Sequence, residues 1–270
     1  MRCGRLLLTA LATASLAGCD AVKGGNDDDG PTRTPGATGF PVADRPVAAI
    51  ISTRWSDEET RDRVNEAILI MDAAKVKPGM TVADIGAGEG YYTVRLAKRV
   101  GANGRVLAED IVPEIIDALG RRINRENWSN VSVKLGTQDD PRLPEKSFDR
   151  IFMVHMYHEI QEPYAFLWRL YPSLKPDGEV IVVDANRLTG NHGTPPPLLK
   201  CEFEAVGFRQ VGFRDSPFAG GYLARFGVGN GRPAPEKINP CRVHVTASSE
   251  VARWMRYAVI SSPPAHTNIQ

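Results

Sequence analysis

Excess charge of either sign is missing from this chain. Lys and Arg number 33 against 32 Asp and Glu in 270 residues, a formal net charge of +1. The two signs are mixed along the sequence and no basic stripe is present to track a phosphate backbone, which argues against nucleic acid as a partner. Cysteine is scarce as well. Cys3, Cys19, Cys201 and Cys241 are all there is, and no metal site is assigned. The apolar stretch from Leu6 to Leu16 falls short of the roughly 20 residues that a spanning helix needs. What remains, 42% hydrophobic and 24% charged residues, is enough for one folded domain with appendages.

The N-terminus departs from this average. Arg2 and Arg5 precede the apolar stretch, which ends in Leu16-Ala17-Gly18-Cys19. Charge, length and small residues fit an export signal rather than an anchor helix. Leu-Ala-Gly-Cys resembles the lipobox of bacterial lipoproteins, which implies cleavage after residue 18 and acylation of Cys19; Asp20 resembles the residue that retains such proteins at the inner membrane. The expected location is the cell envelope, lipid-anchored on the periplasmic side of the inner membrane, or the cytoplasm where the signal goes unused. Residues 19–47, rich in Gly, Pro, Asp and Thr, read as a flexible tether with too little apolar surface to offset the entropy of ordering. In the mature chain Cys201 and Cys241 remain, either disulfide-bonded or as two buried thiols; spacing does not choose between them.

Residues 48–245 carry the domain. Ser56 and Glu59 have capping-box spacing and open an apolar-periodic helix through Val64, Ile68 and Met71. Strand-like runs then alternate with helical patterns: strands at 81–85, 105–109, 131–135, 150–154 and 179–184, helices at 91–100, 113–124, 164–174 and 197–206. Regular alternation predicts an α/β, doubly wound, mostly parallel sheet, because parallel strands need crossover connections. Residues 210–214 and 222–226 follow with a short Pro/Gly link and read as an antiparallel hairpin at one edge, giving seven strands. Residues 246–270 read as a frayed tail.

The chemistry concentrates in Val82-Ala83-Asp84-Ile85-Gly86-Ala87-Gly88-Glu89-Gly90-Tyr91, a strand, a glycine turn and a helix start in succession. Such a turn at the carboxyl end of a strand is where open α/β sheets bind ligands. Its spacing is G-x-G-x-G. A dinucleotide fingerprint needs a glycine where Tyr91 stands, and Glu89 would meet a pyrophosphate, so NAD and FAD are disfavoured.

Asp84-Ile-Gly86-Ala87-Gly88-Glu-Gly90 resembles the first motif of class I S-adenosylmethionine (SAM) dependent methyltransferases. The resemblance covers residues 60 to 226. It implies SAM as cofactor and places Asp84, Gly86, Ala87, Gly88 and Gly90 in its site. Gly104 to Asp110 resembles the family's second strand, so Asp110, with Ile111 behind it and Glu109 as the alternative, would take both ribose hydroxyls in a charge-assisted pair. Leu135 to Asp140 resembles the third segment, with Asp139 near the adenine amino group. Ser147 to His155 resembles the fourth strand, after which His155 or His158 stands where a general base would face the transferred methyl. The Asn-Pro-Pro-Tyr signature of amide and base methylation is absent, and the chain looks more like the branch acting on quinones, small molecules and lipids. Asn191-His192-Gly193-Thr194 is expected to be a structural loop. A catalytically inactive ligand-binding lipoprotein is the alternative, since an exported domain lacks an obvious supply of SAM.

Overall fold

The computed structural model describes residues 33–50 and 57–242. The signal, Cys19, Ser56 and the 246–270 tail lie outside these residues.

Seven strands form one sheet: β1 (Thr81–Ile85), β2 (Arg105–Asp110), β3 (Val131–Leu135), β4 (Phe148–Val154), β5 (Leu174–Asp184), β6 (Phe208–Ser216) and β7 (Gly221–Val228). Their order is β3-β2-β1-β4-β5-β7-β6. The first five are parallel, while β7 runs antiparallel between β5 and β6. This is the expected doubly wound sheet with its antiparallel hairpin at one edge.

Alternation along the central strands explains the two layers of core. Successive strand residues point to opposite faces. Ile151 and Met153 of β4 and Val180 and Val182 of β5 pack with Leu167, Leu170, Leu199 and Phe203. These come from α5 (Pro163–Leu170) and α6 (Pro196–Val206). The intervening Phe152, Ile181 and Val183 pack on the other face with Ile70, Leu96 and Val100, from α2 (Glu66–Ala73) and α3 (Tyr91–Val100). A strand buried on both faces has no polar alternation, and residues 151–154 of β4 and 180–183 of β5 read accordingly as continuous apolar runs. The remaining helix of the Rossmann-like part, α4 (Pro113–Arg125), packs Leu119 and Ile123 against Ala108.

Three expectations are corrected. Residues 33–47, expected as part of the flexible tether, are packed: Ala37 is fully buried, Arg33 pairs with Glu162 at 2.7 Å, and Arg45 and Glu202 form a buried ion pair at 2.9 Å. Spaced side-chain anchors offset the ordering cost that composition alone predicted would prevail. The helix expected through Met71 is two helices, α1 (Glu58–Arg63) and α2. Asp57 caps α1 by accepting from the Thr60 amide at 2.8 Å, and Asn65, at φ 54°, turns the chain before α2. Val64 and Ile68 are consequently exposed, and Ala67, Ile70 and Met71 face the core. The helix expected to reach residue 174 stops at Leu170, where Pro172 allows only a 3-10 turn, Tyr171–Ser173. Cys201 of α6 is disulfide-bonded to Cys241, deciding between the two states the sequence left open.

Candidate active site

The carboxyl ends of the parallel strands converge on one cavity of about 560 Å³, within the usual range for small-molecule sites. After β1 the chain turns through Gly86 and Gly88, at φ 65° and 53°. A side chain is strained at both angles. At Gly86 there is also no room, since a Cβ would stand 2.9 Å from the Met156 side chain. The bare backbone can therefore approach a ligand.

Asp110, the last residue of β2, pins this turn. Its Oδ2 accepts from the Gly88 amide and its Oδ1 from the Val112 amide, each at 3.0 Å. The Ala87 amide donates to the Glu109 carbonyl at 2.9 Å. Beside Asp110, Glu109 is buried in the cavity wall, and its Oε1 has no hydrogen-bond partner among the described residues. Burial, reinforced by the neighbouring Asp110 charge, holds the Glu109 carboxyl well above the usual carboxylate range.

Of the expected site residues, Gly86, Ala87, Gly88, Asp110, Ile111 and His155 line the cavity. Four other candidates stand back from it. Asp84 is buried behind the turn, accepting from the Thr93 hydroxyl at 2.6 Å and so tying β1 to the first turn of α3. Gly90 is the N-cap of α3. Asp139 is held by Arg169 at 2.8 Å, and its neighbours Thr137 and Gln138 reach the cavity instead. His158 is fully buried with Nδ1 3.0 Å from Asp184.

His155, at φ 55°, is half-buried, and desolvation lowers its imidazole to about 4, so it is neutral at pH 7. Sequence reasoning missed the contribution of the N-terminal segment, where Val47 to Ile50, Asp57, Glu58 and Arg61 complete the wall. No local motif marks them. Arg61 does sit 3.8 Å over the ring of Tyr91, the residue that ends the glycine turn.

Burial pushes the Asp84 carboxyl up to about 6. The folded chain then keeps this proton after the unfolded chain, at about 3.8, has lost it. The stability so contributed is fully present below about pH 4 and is lost as pH rises through about 6. Asp84→Asn removes this titration. Its melting temperature, relative to the parent, is expected to climb between pH 4 and 6 and then level off, by about 2–3 kcal/mol in stability. A pH-independent difference would refute the assignment.

Residues 82–178 match a family model described as a methyltransferase domain. This segment resembles a methyltransferase domain. It spans the glycine turn, Asp110, Asp139, His155 and His158. The chain is similar to the protein-L-isoaspartate O-methyltransferase of Methanococcoides burtonii, 31% identical over 109 residues, 39% of this chain and 52% of that protein. It is also similar to the demethylmenaquinone methyltransferase of Lactobacillus johnsonii, 29% identical over 133 residues, 48% of this chain and 52% of that protein. The chain thus spans about half the length of these curated relatives. Among solved structures, a SAM dependent methyltransferase from Aquifex aeolicus superposes with a TM-score of 0.53 at 24% identity, covering 64% of this chain and 98% of that one, which establishes the fold.

SAM is the cofactor that a methyltransferase domain implies. The residues present fit it. The orphaned Glu109 Oε1 and the Asp110 carboxylate offer acceptors to hydroxyl and amino groups, and the bare Gly86 backbone admits close approach.

Proposed function

We propose that this chain is a SAM-dependent methyltransferase acting on a small, largely apolar acceptor. The observation that carries the reading is the Asp110 carboxylate fixed beneath the glycine turn at the wall of an open cavity. Asp110 would accept from the ribose hydroxyls, with Ile111 beside it and Thr137 and Gln138 toward the adenine. When bound, the cofactor would supply a sulfonium methyl group open to direct displacement by the acceptor. The protein's part is alignment, which can supply much of the rate. His155, neutral and at the cavity wall, is the residue placed to take an acceptor proton. His158 stands behind the wall with Nδ1 committed to Asp184, so this role passes to His155 alone.

Ile50, Ile160 and Phe166 line the same cavity and suit a flat apolar acceptor of the kind the demethylmenaquinone enzyme's name indicates. A non-catalytic binding role draws no support from the comparisons. Calorimetric titration of the full chain with SAM and S-adenosylhomocysteine, followed by mass spectrometry of demethylated quinones incubated with labelled SAM, tests the reading. Micromolar binding and acceptor labelling are expected; no binding at millimolar cofactor would overturn it.

The same reading places the enzyme outside the cytoplasm, anchored through Cys19. The Cys201–Cys241 disulfide supports an oxidising compartment, and no helix among the described residues is long and apolar enough to cross a membrane. An intact Met1 peptide by mass spectrometry would refute the anchor.

A further inference from the structure

Two turns at the carboxyl end of the sheet bring together side chains that the methyl-transfer reading does not use. Tyr157–Glu159 follows β4 and Thr189–Asn191 follows β5, each a single 3-10 turn. From the first come His158 and Glu159; directly behind the second comes His192. One ring nitrogen of each histidine and a carboxylate oxygen of Glu159 all lie within 4.8 Å of one another.

The chemistry of the two imidazoles is what turns this proximity into a site. His158 Nδ1 stands 3.0 and 3.1 Å from the two carboxylate oxygens of Asp184. Asp184 is itself fixed by the Thr194 hydroxyl at 2.7 Å and the Ala185 amide at 2.8 Å. A carboxylate facing Nδ1 holds the proton there and leaves the Nε2 lone pair outward, the orientation that carboxylates impose on metal-bound histidines. His158 Nε2 is buried and has no hydrogen-bond partner among the described residues. The same is true of His192 Nδ1. Buried polar atoms are nearly always satisfied, so two orphaned imidazole nitrogens on rings 5.5 Å apart call for a shared partner. Two nitrogens and a carboxylate form a donor set suited to zinc and its neighbours rather than to calcium or magnesium.

We propose that His158, His192 and Glu159 bind one divalent transition-metal ion, with Asp184 orienting His158, and that the ion clips the turn after β4 to the turn after β5. The ion would stand at the edge of the cofactor cavity, because Glu159 also lines that cavity. The inference does not depend on methyl transfer, and its readout needs no SAM.

The test is titration of the chelator-stripped full chain with Co²⁺, followed by displacement with Zn²⁺. One equivalent of Co²⁺ with visible d–d bands is expected, and Zn²⁺ at a hundredfold excess over its dissociation constant should raise the melting temperature by about 5–10 °C. His192→Ala should weaken binding at least tenfold and abolish the thermal shift while SAM binding, read separately, stays in place. His158→Gln should do the same, and if it fails to fold, the half-buried His192 carries the test by itself. Absence of Co²⁺ bands in the parent chain, or binding that His192→Ala leaves unchanged, would overturn the proposal.

Discussion

Asp110→Ala is expected to weaken SAM binding by about a hundredfold or more, the largest effect of any single substitution on the cofactor site. Two losses combine. The substitution removes the acceptor proposed for the ribose hydroxyls, and charge-assisted hydrogen bonds of that kind contribute about 1.5–3 kcal/mol. It also strips both backbone anchors, leaving the Gly88 and Val112 amides without their acceptor. The turn at Gly88 holds a left-handed conformation, and without its pin the preorganised geometry that binding relies on is lost. Asp110→Asn separates the two contributions, because its remaining carbonyl oxygen can still accept from one amide. It should bind less weakly than the alanine variant. Calorimetry beside a thermal melt makes the measurement, and an alanine variant that folds and binds within about threefold of the parent would remove Asp110 from the site.

Replacing Cys201 and Cys241 together by serine is expected to cost about 2–4 kcal/mol of stability and about 5–15 °C in melting temperature. The bond closes a loop of 40 residues in sequence separation, running from α6 through the β6–β7 hairpin and back along the domain. Freeing it enlarges the unfolded ensemble by that loop's closure entropy. The native contacts near Cys241 are few but buried: its amide donates to the Tyr164 hydroxyl at 2.7 Å, and the residue itself is 4% exposed. Neither cysteine lines the cofactor cavity, so SAM affinity should be nearly unchanged at temperatures where the variant is folded. Melts of the parent chain with and without a thiol reductant give the same comparison without mutation. Coincident curves would mean that the bond contributes no stability.

Both predictions depend on the same division in what was readable. Residues 82 to 91 hold a strand, a turn and a helix start in ten consecutive positions, so their meaning is local, and Gly86, Gly88 and the alternation that follows were legible from order alone. Asp110 was legible too, because it ends the next strand of the same sheet. His155 could be placed at the cavity since it directly follows β4.

The remaining roles depended on partners distant in sequence. The carboxylate of Asp139, expected near the adenine, accepts from Arg169, 30 residues on. His158 looked as good a base as His155, yet its Nδ1 belongs to Asp184, 26 residues away. Residues 33–47 have a tether's composition and still pack, through Arg33 to Glu162 and Arg45 to Glu202, 129 and 157 residues away.

By itself, then, the sequence determined the strand–helix alternation, the sheet class and the glycine turn, because hydrophobic period and turn chemistry act over a few residues. Only the tertiary structure decided which histidine faces the cavity, which acids are consumed by ion pairs, that Cys201 meets Cys241, and that His192 comes to rest beside His158. Those outcomes turn on which buried polar groups find partners across the fold, and burial sets that requirement only once the chain has closed around them.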